Sequence, residues 1–242
     1  MWRNFVLLVA AAAAAVAQSK PAVVVELFTS EGCSSCPPAD RLLMFMARAN
    51  PDVDVIPLSE HVDYWNHLGW KDPFSASLFS ARQQDYGRMF RLESVYTPQM
   101  VVNGEVQFLG SDRMRAEQEV RKAAQGPHAR VEVYRLSDDT VRLKVDSVPQ
   151  GTRKADMFLA ITDSLLATDV RDGENAGRRL QHTGVVRSLS RVGQLDTKNA
   201  AAFSADAKIN LHPDWRTPNV KVVVFVQDRS TRKIVGAATL RL

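Results

Sequence analysis

The amino-acid sequence predicts an α/β fold in its first half and a small antiparallel β-sandwich in its second half. Before Gly126 and Pro127, short apolar runs alternate with stretches of helical spacing, which is typical of an α/β unit. After this pair, short runs of alternating apolar and polar residues dominate, and this pattern is typical of antiparallel strands. We therefore expect a leader over residues 1–17, an α/β domain over 18–126 and a β-sandwich domain over 127–242.

Residues 1–17 have the features of a secretory signal peptide. Arg3 is the charged residue of this segment, and it precedes an alanine-rich apolar run that ends in Ala15, Val16 and Ala17, a small-x-small cleavage site. The run is shorter than the roughly 20 residues that a membrane-spanning helix needs, so a retained membrane anchor is the weaker alternative. We predict that the mature protein is periplasmic or secreted and is not inserted in a membrane after cleavage.

The charge distribution does not indicate a polyanionic partner. The chain has 31 Lys and Arg residues and 27 Asp and Glu residues, a formal net charge of +4 at pH 7. These charges are interspersed along the chain, without a block of Lys and Arg. Proteins that bind nucleic acids or anionic membranes concentrate their basic residues, so the sequence favours neither class.

Apolar periodicity predicts the first two strands and the helix between them. Residues 23–28 form an almost continuous apolar run, as do residues 53–58, and each run predicts a buried strand. Between them, apolar residues recur at helical spacing from Ala39 to Ala47. A strand, a helix and a second strand in this order are typical of a parallel β-α-β unit.

Capping and turn residues predict the rest of the first half. Asp72 followed by Pro73 matches the N-cap and the first position of a helix, so we expect a helix to begin there. Asn103 and Gly104 form a two-residue hairpin turn and predict a strand on either side. Asp112 is expected to cap a last helix.

The second half contains strand patterns only. Residues 129–134 and 140–145 alternate between apolar and polar side chains around a polar turn, which predicts a hairpin with one buried face. Residues 157–161 are apolar throughout, residues 220–227 are mostly apolar, and both runs predict buried strands. Residues 234–242 are expected to pair with the second run. These strands favour a small antiparallel β-sandwich.

The two cysteines of the chain, Cys33 and Cys36, lie between the first predicted strand and the first predicted helix. A C-x-x-C pair on such a unit is the redox signature of thioredoxin-like folds. A disulfide is expected in an exported protein, but a four-residue loop stabilises a fold only weakly, which favours redox chemistry over a structural role. We expect both sulfur atoms to be exposed, with Cys33 as the nucleophile and Cys36 as the residue that resolves the mixed disulfide.

A polar and aromatic segment follows the second predicted strand. Ligand sites gather at the carboxyl ends of the strands in such sheets, so this segment is expected to face the cysteines. His61 is a candidate for protonating a leaving thiolate, and Tyr64 and Trp65 are candidates for an apolar wall that contacts a peptide substrate. A hydrogen-bonded surface histidine and core-packing aromatic residues are the alternatives.

The same residues permit a second function, the handling of a metal ion. Thiolates are soft ligands that suit Cu(I), and Cys33, Cys36 and His61 would form a three-coordinate site. A structural zinc site is disfavoured, because the sequence has no second cysteine pair to complete a tetrahedron.

Five blocks of the sequence carry a resemblance to a known family: residues 26–40 (ELFTSEGCSSCPPAD), 61–65 (HVDYW), 69–74 (GWKDPF), 96–104 (YTPQMVVNG) and 173–178 (GENAGR). Together they resemble a secreted bacterial family of unknown function, domain-of-unknown-function family 1223. The blocks extend over nearly the whole mature chain. The resemblance implies a family, a fold in which a thioredoxin-like domain over residues 18–126 precedes the β-sandwich domain, and no measured activity.

Within these blocks, Thr97 and Pro98 are similar to the cis-proline loop of thioredoxin-fold oxidoreductases. This resemblance implies that Pro98 faces the dithiol and that the loop holds the backbone of the substrate. It also implies a role for Glu26, because thioredoxins keep a buried acid near this place that accepts the proton of the resolving cysteine. A partly solvated Glu26 at a sheet edge is the alternative.

The motifs and the resemblance predict an exported thiol–disulfide oxidoreductase that acts on protein or peptide thiols and disulfides without an organic cofactor. The predicted catalytic residues are Cys33, Cys36, Pro98 and Glu26. The predicted substrate-binding residues are Thr97, His61, Tyr64 and Trp65. A metal-handling protein and a binding module with an inert disulfide are the alternatives.

Overall fold

The computed structural model describes residues 20–49, 51–198, 202–215 and 217–242. The predicted signal peptide, residues 1–17, lies outside the described residues. Within the described part of the chain, no helix combines the length and the apolar character that crossing a bilayer requires.

Helices and strands alternate in the first part of the chain, and strands make up most of the rest. The first elements are β1 (Ala22–Thr29), α1 (Pro37–Ala49), β2 (Asp54–His61), α2 (Ser77–Met89), β3 (Gln99–Val102), β4 (Val106–Leu109) and α3 (Arg113–Ala124). The strands that follow are β5 (Arg130–Ser137), β6 (Thr140–Ser147), β7 (Lys154–Asp163), β8 (Leu166–Asp169), β9 (Arg179–His182), β10 (Val185–Asp196), β11 (Phe203–Lys208), β12 (Val220–Asp228) and β13 (Ile234–Arg241). A short 3-10 helix, Thr217–Asn219, precedes β12.

The described strands form one large mixed sheet and two small antiparallel sheets. The large sheet has eight strands in the order β13-β12-β7-β10-β2-β1-β3-β4. Strands β1 and β2 are parallel, whereas β3 pairs antiparallel with both β1 and β4. Strands β11-β6-β5 form a three-stranded sheet that packs on β7 and β12, and β8 pairs with β9. The molecule is therefore a mixed α/β protein with additional antiparallel sheets.

A short parallel contact joins the two halves of the large sheet. Val185 of β10 pairs with Ser59 of β2, and the Ser59 N–H donates to the carbonyl of Gly184 at 2.8 Å. The sheet therefore takes strands from both sides of residue 126. The domain boundary expected at residue 126 stays a prediction. The antiparallel strands of the second half extend the same large sheet beyond β2.

Most local predictions are confirmed. The predicted hairpin corresponds to β5 and β6, and β13 pairs with β12 as expected. Asn103 and Gly104 have positive φ angles of 45° and 65° in the turn that joins β3 to β4. Asp112 caps α3, since its side chain accepts a hydrogen bond from the backbone N–H of Arg115.

One helix boundary was predicted wrongly. Helix α2 begins at Ser77, and the N-cap residue Ala76 makes no side-chain capping bond. Asp72, expected to cap this helix, instead lies 2.7 Å from the imidazole of His61 and accepts the backbone N–H of Glu31. The carboxylate of Asp72 thus binds His61 and Glu31 instead of capping helix α2.

The alternation of β1 separates two layers of the core. Val23, Val25 and Leu27 pack against α1 and α3 on one face of the sheet. Val24 and Phe28 belong to clusters on the other face, where α2 lies. Because side chains alternate along a strand, the neighbours of one face cannot reach the other. This geometry decides whether Glu26, the acidic residue of β1, can approach the cysteines.

Candidate functional site

Cys33 and Cys36 form a disulfide at the turn between β1 and α1. Their Cα atoms are 5.4 Å apart, and the N–H of Cys36 donates to the carbonyl of Cys33 at 3.1 Å. Helix α1 begins at Pro37, directly after the second cysteine, a position where proline loses no helical hydrogen bond. The placement of the pair agrees with the sequence prediction.

The expectation that the sulfur atoms lie exposed was wrong. Both cysteines have no exposed surface, although Ser34 and Ser35 between them are exposed. Trp65 packs against the turn, since a Cβ on Gly32 would lie 3.3 Å from the Cβ of Trp65. A segment of the second half, described below, binds the turn as well. In this oxidised state, neither sulfur is open to solvent.

The proline loop lies beside the first turn of α1. The peptide bond between Thr97 and Pro98 is cis. A Cβ on Gly110 would lie 3.1 Å from the Cβ of Pro98 and 3.2 Å from the Cβ of Ala39, so all three residues meet at one point. The absence of a side chain at Gly110 lets the proline loop approach the helix that carries the cysteine pair.

Trp65 links the aromatic segment to the proline loop. Its indole N–H donates to the hydroxyl of Thr97 at 2.8 Å. The phenol of Tyr64 instead donates to Gln83 of α2 at 3.1 Å, and burial raises the pKa of Tyr64 above its ordinary value. The structure thus brings together Trp65, Thr97 and the cysteine turn, and Tyr64 links the same Thr97 to α2.

A buried polar cluster lies next to the cysteine turn. His61 has no exposed surface, and its Nδ1 is 2.7 Å from Asp72. The second histidine, His182 of β9, places its Nε2 3.0 Å from Glu31, and the two imidazole rings are 4.9 Å apart between centroids. The indole of Trp70 donates to the other carboxylate oxygen of Glu31 at 2.9 Å. His61, predicted to contact substrate, is therefore enclosed within the protein.

The environments of His61 and Asp72 favour an ion pair. Burial opposes the charged imidazolium, but the charge and hydrogen bond of Asp72, with the charges of Asp40 and Glu31, outweigh it and raise the pKa of His61. Burial also favours neutral Asp72, yet His61 and the backbone N–H groups of Glu31 and Phe74 lower the pKa of Asp72. Both shifts favour the imidazolium and the carboxylate over the neutral pair.

Glu26 does not reach the cysteines. Its carboxylate accepts hydrogen bonds from Arg82 and from the phenol of Tyr86, each at 2.6 Å, on the α2 face of the sheet. The cysteines lead into α1, which covers the opposite face. The predicted role of Glu26 as proton acceptor for Cys36 therefore has no support in its contacts.

Asp40 is an acidic residue of α1 that lies one helical turn after Cys36. Its backbone N–H donates to the carbonyl of Cys36 at 3.1 Å, and its side chain accepts the hydroxyl of Thr29 at 3.0 Å. Burial raises the pKa of Asp40, and the charges of His182 and His61 oppose this only in part. An acidic residue four positions after Cys36 is a sequence signal that could have pointed to Asp40.

Glu26 instead belongs to a second buried charge cluster. Glu60 on the neighbouring strand lies 3.5 Å from Arg82. Burial, reinforced by the charge of Glu26, raises the pKa of Glu60 well above its ordinary value. The closer contact of Arg82 is with Glu26, at 2.6 Å, and this pair holds α2 against β1.

Comparison with known proteins identifies the family. A family model described as protein of unknown function (DUF1223) matches residues 24–227. The chain belongs to this family. It is similar to the crystal structure of protein AGR_C_4864 from Agrobacterium tumefaciens, with 30% identity, a TM-score of 0.74, and coverage of 93% of this chain and 96% of that one. No curated protein gives a match.

Two further solved structures are only remotely similar to this DUF1223 protein. A domain of the outer membrane lipoprotein Omp28 from Porphyromonas gingivalis is 11% identical, with a TM-score of 0.24, and the match covers 48% of this chain and 90% of that one. A calcium-binding mutant of β-glucuronidase 2 from Bacteroides uniformis is 15% identical, with a TM-score of 0.25 and coverage of 46% and 12%. Neither likeness carries an argument about function.

The contacts in this DUF1223 protein do not assemble the predicted metal site. Across the described ranges, no group of three or more His, Cys, Asp and Glu side chains is arranged to hold a metal ion. Cys33 and Cys36 are joined to each other, and His61 is engaged by Asp72. Cu(I) binding by these three residues would require reduction of the disulfide and rearrangement of the cluster.

Sequence reasoning missed most of the residues that surround the disulfide. Glu31 and His182 are 151 positions apart in the chain, so no local pattern links them. Asn175 is buried and hydrogen-bonded to the cysteine turn. The block of residues 173–178 was the one signal that pointed to it.

Proposed function

We propose that this DUF1223 protein is an exported thiol–disulfide oxidoreductase that uses Cys33 and Cys36 on protein or peptide substrates. The observation that carries the proposal is the disulfide at the start of α1, with Trp65 packed against the cysteine turn and Pro98 beside the first turn of the helix. A reversible disulfide needs only sulfur chemistry, so the proposed reaction requires no organic cofactor. The apolar run and cleavage site of residues 1–17 support export.

The proposal includes a thioredoxin-like arrangement of the first part of the chain. Four neighbouring strands in the order β2-β1-β3-β4, with β1 and β2 parallel and β3 and β4 antiparallel, support it. Helices α1 and α3 pack on one face of these strands and α2 on the other. The cysteine pair lies between β1 and α1, where such folds carry their redox site.

From the oxidised state, exchange begins when a substrate thiolate attacks the sulfur of Cys33. A substrate–Cys33 bond forms, the bond between Cys33 and Cys36 breaks, and Cys36 leaves as a thiolate. A second substrate thiolate then attacks the substrate sulfur of the mixed disulfide and releases Cys33. Two electrons pass from two substrate thiols to the protein, and the two substrate protons end on the two cysteines. The reverse sequence reduces a substrate disulfide.

The burial of both sulfur atoms favours a second candidate, a binding module with an inert disulfide. Loop-closure entropy for a four-residue loop corresponds to about 2 kcal/mol of stabilisation. If the disulfide is only structural, replacing both cysteines by alanine should cost about that amount and change nothing else. Chemical denaturation of the double variant measures this cost.

Two measurements test the proposal. The first is the reduction potential of the pair, equilibrated against glutathione. A value between about −270 and −120 mV supports exchange, and a value below about −300 mV marks an inert disulfide and contradicts it. The second is insulin reduction, in which Cys33→Ser should be inactive and Cys36→Ser should accumulate mixed disulfides. Equal activity of the wild type and the double variant contradicts a redox role.

A further inference from the structure

A segment of the second half of the chain lies on the cysteine turn. We name residues 173–178, between β8 and β9, the cover segment. Asn175 has no exposed surface, whereas the other residues of the segment are exposed. The segment therefore lies at the surface and directs a single side chain into the protein.

The amide of Asn175 bridges two carbonyl groups of the turn. Its Nδ2 donates to the carbonyl of Glu31 at 2.8 Å and to the carbonyl of Cys33 at 2.9 Å. Its Oδ1 accepts a hydrogen bond from Arg178 at 3.0 Å. Both hydrogens of the Nδ2 amide group donate to these carbonyl groups. Removing such partners from buried polar groups lowers the stability of the fold. Asn175 thus fixes the backbone on the N-terminal side of the disulfide.

Two further contacts hold the cover segment in place. The backbone N–H of Ser34 donates to the carboxylate of Glu174 at 3.0 Å. Gly173 has a φ of +75° and packs against Trp70, since a Cβ there would lie 3.1 Å from the Cβ of Trp70. Trp70 in turn donates to Glu31, so the cover segment, the cysteine turn and the buried polar cluster form one connected unit.

The hydrogen bonds of the cover segment to the turn are few: two buried bonds from Asn175 and one exposed bond to Glu174. A surface segment held by a small number of hydrogen bonds opens at a much lower free energy than the whole fold. The sulfur atoms, in contrast, are fully buried, although exchange requires in-line attack on one of them. Access to Cys33 therefore depends on movement of a neighbouring element.

We propose that the cover segment is a closing element over the disulfide and that Asn175 is its positioning residue. In the oxidised protein the segment holds the turn closed, and it opens to admit a thiol partner to Cys33. The proposal deepens the proposed redox function and rests on it for its biological use. The closure itself can be tested without that function.

The rate of disulfide reduction by excess dithiothreitol, measured by quenched thiol titration, tests the closure. Asn175→Ala removes both bridging hydrogen bonds and should be reduced about ten- to a hundredfold faster than the wild type. Asn175→Asp keeps the shape but points oxygen atoms at two carbonyls, and should be reduced at least as fast as Asn175→Ala. Arg171→Ala, at an exposed position just before the segment, is the matched control and should keep the wild-type rate.

Urea unfolding of the same variants distinguishes opening of the cover segment from a general loss of stability. Faster reduction with an unfolding midpoint in the range of the control supports closure. Faster reduction that is proportional to a fall in the unfolding midpoint overturns it. Glu174→Ala, at an exposed position, provides a variant that preserves the core and should be reduced severalfold faster. Wild-type rates in both Asn175 variants and in Glu174→Ala overturn the proposal.

Insulin reduction by the same proteins separates the two proposals. If the wild type reduces insulin and Asn175→Ala is reduced no faster by dithiothreitol, the closure proposal fails and the redox function stands. If the wild type does not reduce insulin and Asn175→Ala is still reduced faster, closure stands and the redox function fails.

Discussion

Replacing Asp72 by asparagine should destabilise the protein strongly and in a pH-dependent way. The carboxylate of Asp72 lies 2.7 Å from Nδ1 of His61, accepts the N–H of Glu31 at 2.8 Å and accepts the N–H of Phe74 at 2.9 Å. The side chains of His61 and Asp72 have no exposed surface. Removing one partner of a buried ion pair costs about 3–5 kcal/mol, because the other charge is left uncompensated.

The pH dependence follows from the two pKa shifts. The pKa of His61 is raised from 6.5, so its contribution is complete below pH 6.5 and is lost as the pH rises through the raised value. The pKa of Asp72 is lowered from 3.8, so its contribution is present above pH 3.8 and is lost as the pH falls through the lowered value. The free-energy cost of Asp72→Asn should therefore be largest between these limits. At a pH above the raised pKa of His61, only a hydrogen bond from neutral His61 to the carboxylate is lost, a cost of about 1.5–3 kcal/mol.

Urea unfolding at about pH 5 and about pH 9 measures both costs. With a denaturant slope of about 3 kcal/mol per M, the midpoint of Asp72→Asn should fall by roughly 1 M or more at the lower pH. Asp169→Asn is the control, because Asp169 pairs with Arg179 at the exposed surface and such pairs contribute about 0–1 kcal/mol. Equal costs at both pH values, or a cost no larger than that of the control, would refute the reasoning.

Two further variants test the packing between the layers of the fold. Arg82→Met leaves Glu26 buried without its cation and should lower the free energy of unfolding by about 3–5 kcal/mol. A loss below about 1 kcal/mol, measured by urea unfolding, would contradict a buried ion pair. Gly184→Ala adds a Cβ that overlaps the carbonyl oxygen of Pro57, at a residue with a φ of +60°. The left-handed conformation alone costs an alanine about 1–2 kcal/mol, so the free energy of unfolding should fall by more than this. Gly151→Ala, at a φ of +96° with no atom within 4 Å of the added Cβ, is its control, and equal midpoints for the two variants would contradict a steric clash.

The elements of the first half could largely be predicted because their patterns are local. Asn103 and Gly104 supply the positive φ angles of a turn wherever they occur, and Pro37 can begin a helix without losing a bond. Asp72 shows where local reasoning fails. A carboxylate before a proline favours an N-cap, but a buried histidine and a backbone N–H offered stronger partners.

The role expected for Glu26 failed for a different reason. Its position within an apolar strand predicted burial correctly, and burial was observed. The face on which it lies depends on the alternation of β1 relative to α1 and α2, and a shift of one residue exchanges the two faces. The resemblance to thioredoxins could not decide this face, and the acidic residue that is hydrogen-bonded to the backbone of Cys36 is Asp40.

By itself, the sequence determined that two cysteines lie between a strand and a helix, since periodicity and turn chemistry act over a few residues. Only the tertiary structure decided what surrounds them. The bonds from Asn175 to Cys33 and from His182 to Glu31 join positions 142 and 151 residues apart. They exist because β10 pairs with β2 and carries the preceding segment of the chain to the cysteine turn, and such a pairing is set by the packing of the whole sheet.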